Sequence, residues 1–169
     1  LMYDDRSGAA TLGRIGACAP AHTAVHSASS SLAKLAHLAG TPAASRARFA
    51  LHQADWILAR LTDQPGVGDE NNAPKLGYDA ARRRWPDWIG DPRLGIPPAW
   101  LPRVVPAGTA VGPIRPGLAR RLGLPGAARA VAGTTDSTAA ALAAGVRAPA
   151  DAVTSLGSTL VVKVVSTRS

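Results

Sequence analysis

Eight prolines and three tryptophans fall between residues 85 and 117. Pro86, Pro92, Pro97, Pro98, Pro102, Pro106, Pro113 and Pro116 each lack an N–H and hold φ near one value, so neither a long helix nor a central strand can run through the segment. Flexible linkers do not carry Trp85, Trp88 and Trp100. The stretch is expected to be short turns and irregular packing anchored by those three rings. Regular structure must therefore lie on either side of it.

On the N-terminal side, Ser31 reads as the cap of a helix with Leu32, Leu35 and Leu38 along one side, stopped at Gly40. A longer helix is expected over residues 45–61. Its Ala54, Ile57, Leu58 and Leu61 recur at i, i+3, i+4 and i+7, the spacing of one buried face. Residues 62–72 then read as a polar loop. On the C-terminal side, residues 118–122 read as a short helix ended by Gly123. Residues 130–132 follow as a short buried strand, 136–144 as a helix ended by Gly145, and 152–156 and 160–165 as two strands about a Gly-Ser-Thr turn. Strand, helix and hairpin in this order predict an α/β architecture.

With 169 residues the chain is long enough for one domain, and 46% hydrophobic residues can fill a core. Only 4% are aromatic, so that core is built from Ala, Leu, Val and Ile. The net charge is +8, from 19 basic and 11 acidic residues, and 16 of the 19 are Arg. The arginines are scattered apart from residues 82–84 and 120–121, and no aromatic platform is interleaved with them, which argues against a nucleic-acid partner. No apolar run reaches the length of a bilayer span, and no signal peptide is legible at the start, so a cytoplasmic protein without a membrane partner is expected. The lone Cys18 cannot form an internal disulfide and reads as packing or indifferent surface. His22 and His26 stand one helical turn apart but lack a Glu between them and a third ligand, so they read as structural or surface residues. Both ends of the chain look cut.

Two segments carry chemistry. In Gly133-Thr134-Thr135-Asp136-Ser137-Thr138 an Asp opens a small-residue helix just after a strand. It can be a plain helix cap, or a carboxylate at the strand end where α/β folds place ligands. In Ser155-Leu156-Gly157-Ser158-Thr159 the glycine lets the backbone approach an anion, and the hydroxyls and N–H groups can donate to it. The alternative is an ordinary hairpin turn.

Taken in order, these segments resemble the FGGY carbohydrate kinases. Residues 2–6, Met-Tyr-Asp-Asp-Arg, are similar to that family's aromatic-x-Asp-x-Arg segment. Residues 31–35, Ser-Leu-Ala-Lys-Leu, resemble its Ser-x-x-x-Lys-Leu helix start. His52 to Thr62 matches the helix that ends in Leu-Thr-Gly, with Asp63 in place of the glycine. Asp69-Glu70-Asn71-Asn72-Ala73 matches Asp-x-x-Asn-Ala, and Leu101-Pro102-Arg103-Val104 matches Leu-Pro-x-Val. Gly133 to Asp136 and Ser155 to Thr159 match the catalytic and phosphate segments. Pro74 departs from the pattern, and the Asp-x-Gly-Thr metal loop and the Gly-rich adenine site are absent.

The resemblance implies a partial ribonuclease-H-like (actin-like ATPase) fold. Residues 1–148 would be the later part of the first domain and residues 149–169 the first hairpin of the second. It implies ATP and Mg2+ as cofactors and a sugar as substrate, a pentulose by the likeness to ribulokinases and xylulokinases, and it leaves a homodimer open for the full-length protein. Asp136 would be the general base, and Gly157, Ser158 and Thr159 would face the ATP phosphates. The polar loop of residues 69–72, with Asn72, is bounded by a helix and is expected either on the sugar side of the cleft or as a plain solvent loop. The competing functions are a non-catalytic ligand-binding protein of the same fold and a basic nucleic-acid-binding module.

Overall fold

The computed structural model describes residues 1–2, 4–157 and 160–167. In chain order the elements are α1 (Leu12–Gly16), α2 (Ser31–Ala39), α3 (Gln53–Thr62), β1 (Val67–Asp69), β2 (Arg103–Val105), β3 (Ala110–Pro113), α4 (Pro116–Arg121), β4 (Arg129–Val131), α5 (Asp136–Ala143), β5 (Ala152–Leu156) and β6 (Leu160–Val164). Short 3-10 turns join them, four of these within residues 73–100. The contacts divide the chain into two compact units, Leu1–Gly133 and Thr134–Ser169.

The first unit holds two cores. One gathers Ile15 of α1, Val25, Leu32, Ala33 and Ala36 of α2, and Ile89, Leu94 and Ile96 from the proline-rich stretch, with Trp85 and Trp88 packed against it. Trp85 is anchored as expected, its indole N–H donating to the Pro102 carbonyl at 3.0 Å. A 3-10 turn at Ser7–Thr11 lies directly on α2, and Gly8 makes this possible, because a Cβ there would come within 2.5 Å of the Ala33 backbone. Two details of α2 differ from expectation. Ser30 rather than Ser31 caps it, accepting the Ala33 N–H at 3.1 Å. Its buried stripe is Leu32, Ala33 and Ala36, while Leu38 is 41% exposed.

The second core joins Leu58 of α3, Val67 of β1, Val105 of β2, Ile114, Ala119 of α4, and Ala130 and Ala132 at β4. Helix α3 begins at Gln53, not near residue 45. Residues 42–46 form a separate 3-10 turn opened by Pro42, and His52 is extended. The buried Asp55 reaches back to accept the His52 N–H at 3.0 Å, which starts the helix there. The His52 ring sits 3.4 Å from Asp55 through Nδ1 and 3.2 Å from Ser31 Oγ through Nε2, tying the starts of α2 and α3 together.

The segment expected to be a loop over residues 62–72 contains β1, whose three residues are all buried. It pairs in parallel with β2, Val67 opposite Arg103 and Asp69 opposite Val105. Strands β3 and β4 pair antiparallel, with an irregularity between Ala110 and Gly112.

In the second unit, α5 ends before Gly145, whose φ of 88° is the left-handed turn that favours glycine. Strands β5 and β6 form an antiparallel hairpin running from Ala152↔Val164 to Leu156↔Leu160. The chain is thus mixed α/β as expected, its described strands arranged as three separate two-stranded sheets. Among the described residues no helix is long and apolar enough to cross a membrane.

Candidate active site

Strand β4 delivers the chain to α5. Ala132 closes the strand, its N–H donating to the Thr109 carbonyl at 2.8 Å, and the chain passes through Gly133 and Thr134 to the first turn of the helix. Thr135 caps that turn. It is extended, with φ −77° and ψ 149°, and its Oγ1 accepts the Thr138 N–H at 3.2 Å. The reading of Asp136 as the cap is therefore corrected. A cap must be the last non-helical residue, with its side chain folded back over the second or third helical N–H. Asp136 is already the first helical residue.

Asp136 is exposed, and among the described residues its carboxylate takes one hydrogen bond, from the adjacent Ser137 N–H at 2.6 Å. A carboxylate so placed faces the positive end of the helix dipole and remains open to a partner from solvent. Its chemistry is that of a proton acceptor or hydroxyl-orienting group. Beside it, Thr134 Oγ1 is buried with no hydrogen-bond partner among the described residues.

Two groups here were not singled out by the sequence reading. Thr138 Oγ1 lies 2.8 Å from Thr135 Oγ1, and the Lys163 ammonium of β6 donates to Thr138 Oγ1 at 3.4 Å. The signal for Lys163 was present, since it is the one charged residue in the run from Ala152 to Val164.

Gly157 follows β5 directly and is exposed, as a residue must be if its backbone is to approach a ligand. Ser158 and Thr159, expected to complete the phosphate turn, lie outside the described residues.

Asn72 belongs to the first unit and is buried, at 8% exposure. Its amide is engaged on both sides, Nδ2 donating to Asp69 Oδ2 at 2.9 Å and Oδ1 accepting from Lys75 Nζ at 3.3 Å. Asp69 organises the loop, since its Oδ1 also accepts the N–H groups of Asn71 and Asn72, each at 2.9 Å. The buried carboxylates of Asp69 and Asp55 border a shallow cleft of about 250 Å3, with Ala54, Ile57 and Leu61 of α3 and Val131 of β4. The supposed buried face of α3 is thus divided. Leu58 is inside the core, while Ile57 is 46% exposed at the cleft.

Other groups follow simple roles. His26 Nε2 is 2.9 Å from the Pro20 carbonyl and 3.3 Å from Thr23 Oγ1, closing a local turn. Cys18 packs against the first core, and burial pushes its thiol above the ordinary value. Arg82 is engaged by Asp79 at 2.8 Å, and Arg83 lies 3.9 Å from Glu70. Among the described residues no three His, Cys, Asp or Glu side chains gather as metal ligands.

The chain matches solved structures of sugar kinases. It aligns over 95% of its length with a xyloylose kinase from Brucella ovis, at TM-score 0.79 and 24% identity, covering 34% of that chain. It aligns over 73% of its length with a xylulose kinase from Rhodospirillum rubrum, at TM-score 0.64 and 27% identity, covering 26% of that chain. A gluconate kinase from Lactobacillus acidophilus matches over 82%, at TM-score 0.68 and 18% identity, and 30% of that chain is covered. No protein-family model matches the chain. The resemblance to FGGY-type sugar kinases read from the motifs is borne out by these neighbours, which have the actin-like ATPase fold. The chain spans about a third or less of their length.

Proposed function

We propose that the chain is part of a carbohydrate kinase that phosphorylates a pentulose, D-ribulose or D-xylulose, with Asp136 as the general base. The observation that carries this reading is the division of labour at α5. Thr135 caps the helix, and Asp136 stands exposed one residue later with its carboxylate uncommitted to the cap. The fold shared with sugar kinases supports the substrate class.

In this mechanism the substrate hydroxyl hydrogen-bonds to the Asp136 carboxylate. As its oxygen bonds to phosphorus, its O–H bond breaks and the proton passes to Asp136. ATP, when bound, supplies the phosphoryl group and leaves as ADP. Gly157, with Ser158 and Thr159, faces the phosphates. Asn72 acts on the sugar side through the loop that it closes with Asp69. Residues 1–148 form the later part of the first domain and residues 149–169 open the second. The 169-residue chain expressed alone is expected to lack kinase activity.

The test is Asp136→Asn in the full-length protein. An amide has nearly the shape of the carboxylate but is not a base near neutral pH. Loss of a general base is expected to lower kcat by about 10²- to 10⁴-fold, with the melting temperature little changed. A variant with near-normal kcat on every pentulose would overturn the assignment.

A further inference from the structure

We propose that Lys163 is a positioning residue, which sets the hydrogen-bond polarity of the first turn of α5 and so orients Asp136. The inference rests on the kinase reading in treating Asp136 as the base and the β5–β6 hairpin as the start of a second domain.

The placement of Lys163 is unusual for its strand. It is the one charge between Ala152 and Val164, and it stands opposite Val153 in the hairpin register. Lys163 and Val153 are half-buried, while Leu156, Leu160, Val162 and Val164 on the other face are bare. Lys163 thus lies on the more covered face, and its ammonium reaches the N-terminal turn of a helix, an end whose dipole disfavours a cation. The contact it makes there is specific, Nζ to Thr138 Oγ1 at 3.4 Å.

That contact favours one of two arrangements. The hydroxyls of Thr135 and Thr138 are 2.8 Å apart, and either could donate. An ammonium has only donors. With Lys163 donating to Thr138 Oγ1, the Thr138 proton is free to turn toward Thr135 Oγ1. Thr135 Oγ1 then accepts both the O–H and the N–H of Thr138, which fills its lone pairs. Its own proton is left to donate outward, next to Asp136. The hairpin therefore favours one protonic arrangement of the cap, because a hydroxyl that accepts from an ammonium is the better donor, and Asp136 follows Thr135 directly in that turn. Remove the ammonium, and that preference is lost.

The experiment compares Lys163→Met, Lys163→Arg and Thr138→Val in the full-length protein. Lys163→Met is expected to lower kcat about tenfold with the sugar KM unchanged, the mark of a group that aligns the reacting state without holding substrate. Lys163→Arg is expected to restore kcat. Lys163→Met and Thr138→Val are expected to be non-additive, because they cut one chain of bonds. Unchanged kcat in Lys163→Met, or additive losses, would overturn the proposal. A purely structural lysine would lower the melting temperature and leave kcat alone, which also overturns it. Amide hydrogen exchange separates this inference from the base assignment. Even if Asp136→Asn proves active, faster exchange at the Thr138 N–H in Lys163→Met supports the tie, and unchanged exchange removes it.

Discussion

The Oγ1 of Thr135 accepts the Thr138 N–H at 3.2 Å and closes the first turn of α5, so that Asp136 stands between these two residues without capping the helix. The two neighbours are therefore expected to respond differently to substitution. Thr135→Ala should destabilise the second unit by about 0.5–2 kcal/mol, the usual loss for a helix cap. Asp136→Ala should cost less, about 0.3–1 kcal/mol for the lost charge at the helix N-terminus. Urea unfolding of each variant checks this, and a larger loss at Asp136 than at Thr135 would return the cap to Asp136.

The two leucines of α2 offer a test of which face is buried. Leu32 is fully buried in the first core, while Leu38 is 41% exposed. Leu32→Ala should cost about 2–5 kcal/mol through lost contacts and the cavity left behind. Leu38→Ala should lie within about 0.5 kcal/mol of the parent, as surface changes do. Denaturant midpoints of the two variants measure the difference.

Asp69 accepts three hydrogen bonds from Asn71 and Asn72 while 3% exposed. Asp69→Ala strands those donors, at a cost of about 1–3 kcal/mol for each one left buried and unpaired. Asp69→Asn keeps acceptor capacity at one oxygen and should cost less. In the full-length protein, Asn72→Ala should raise the sugar KM by opening the same loop. An unchanged KM for every pentulose would make the loop a plain connector.

Asp151 predicts a pH effect. Its Oδ2 accepts the backbone N–H groups of Arg147 at 2.8 Å and Ala148 at 2.7 Å, and these bonds hold its carboxyl below the ordinary aspartate value. A folded value below the unfolded one contributes stability above the unfolded value of about 3.9. That contribution declines as pH falls from there through the lowered folded value. The turn at residues 147–151, which leads into β5, should loosen over that acid range. Amide exchange at Arg147 and Ala148 would report it, and Asp151→Asn should abolish the pH dependence.

Much of the chain was legible from local chemistry. Gly123 and Gly145 end α4 and α5 where a left-handed residue is needed, with φ of 64° and 88°. The strands and helix of the last 40 residues fall within one or two positions of expectation, since alternation and capping signals act between near neighbours. The prolines did keep residues 85–117 to 3-10 turns, three- and four-residue strands and the opening of the six-residue α4. The ordered motifs were enough to indicate the family of folds.

Long-range contacts decided the rest. β1 looked like loop because three residues, one of them Gly and one Asp, carry no strand signal. Only pairing with β2 and burial in the second core make them a strand. Helix α3 starts at Gln53 and not earlier because His52 is held between Asp55 and Ser31 of another helix. Local sequence determined that a helix begins near Asp136. The choice between Thr135 and Asp136 as its cap depended on backbone angles at one residue, and the link to Lys163 depended on a hairpin 25 positions away. A side chain's neighbours in the chain are set by sequence, but its hydrogen-bond partners are set by which distant surfaces pack.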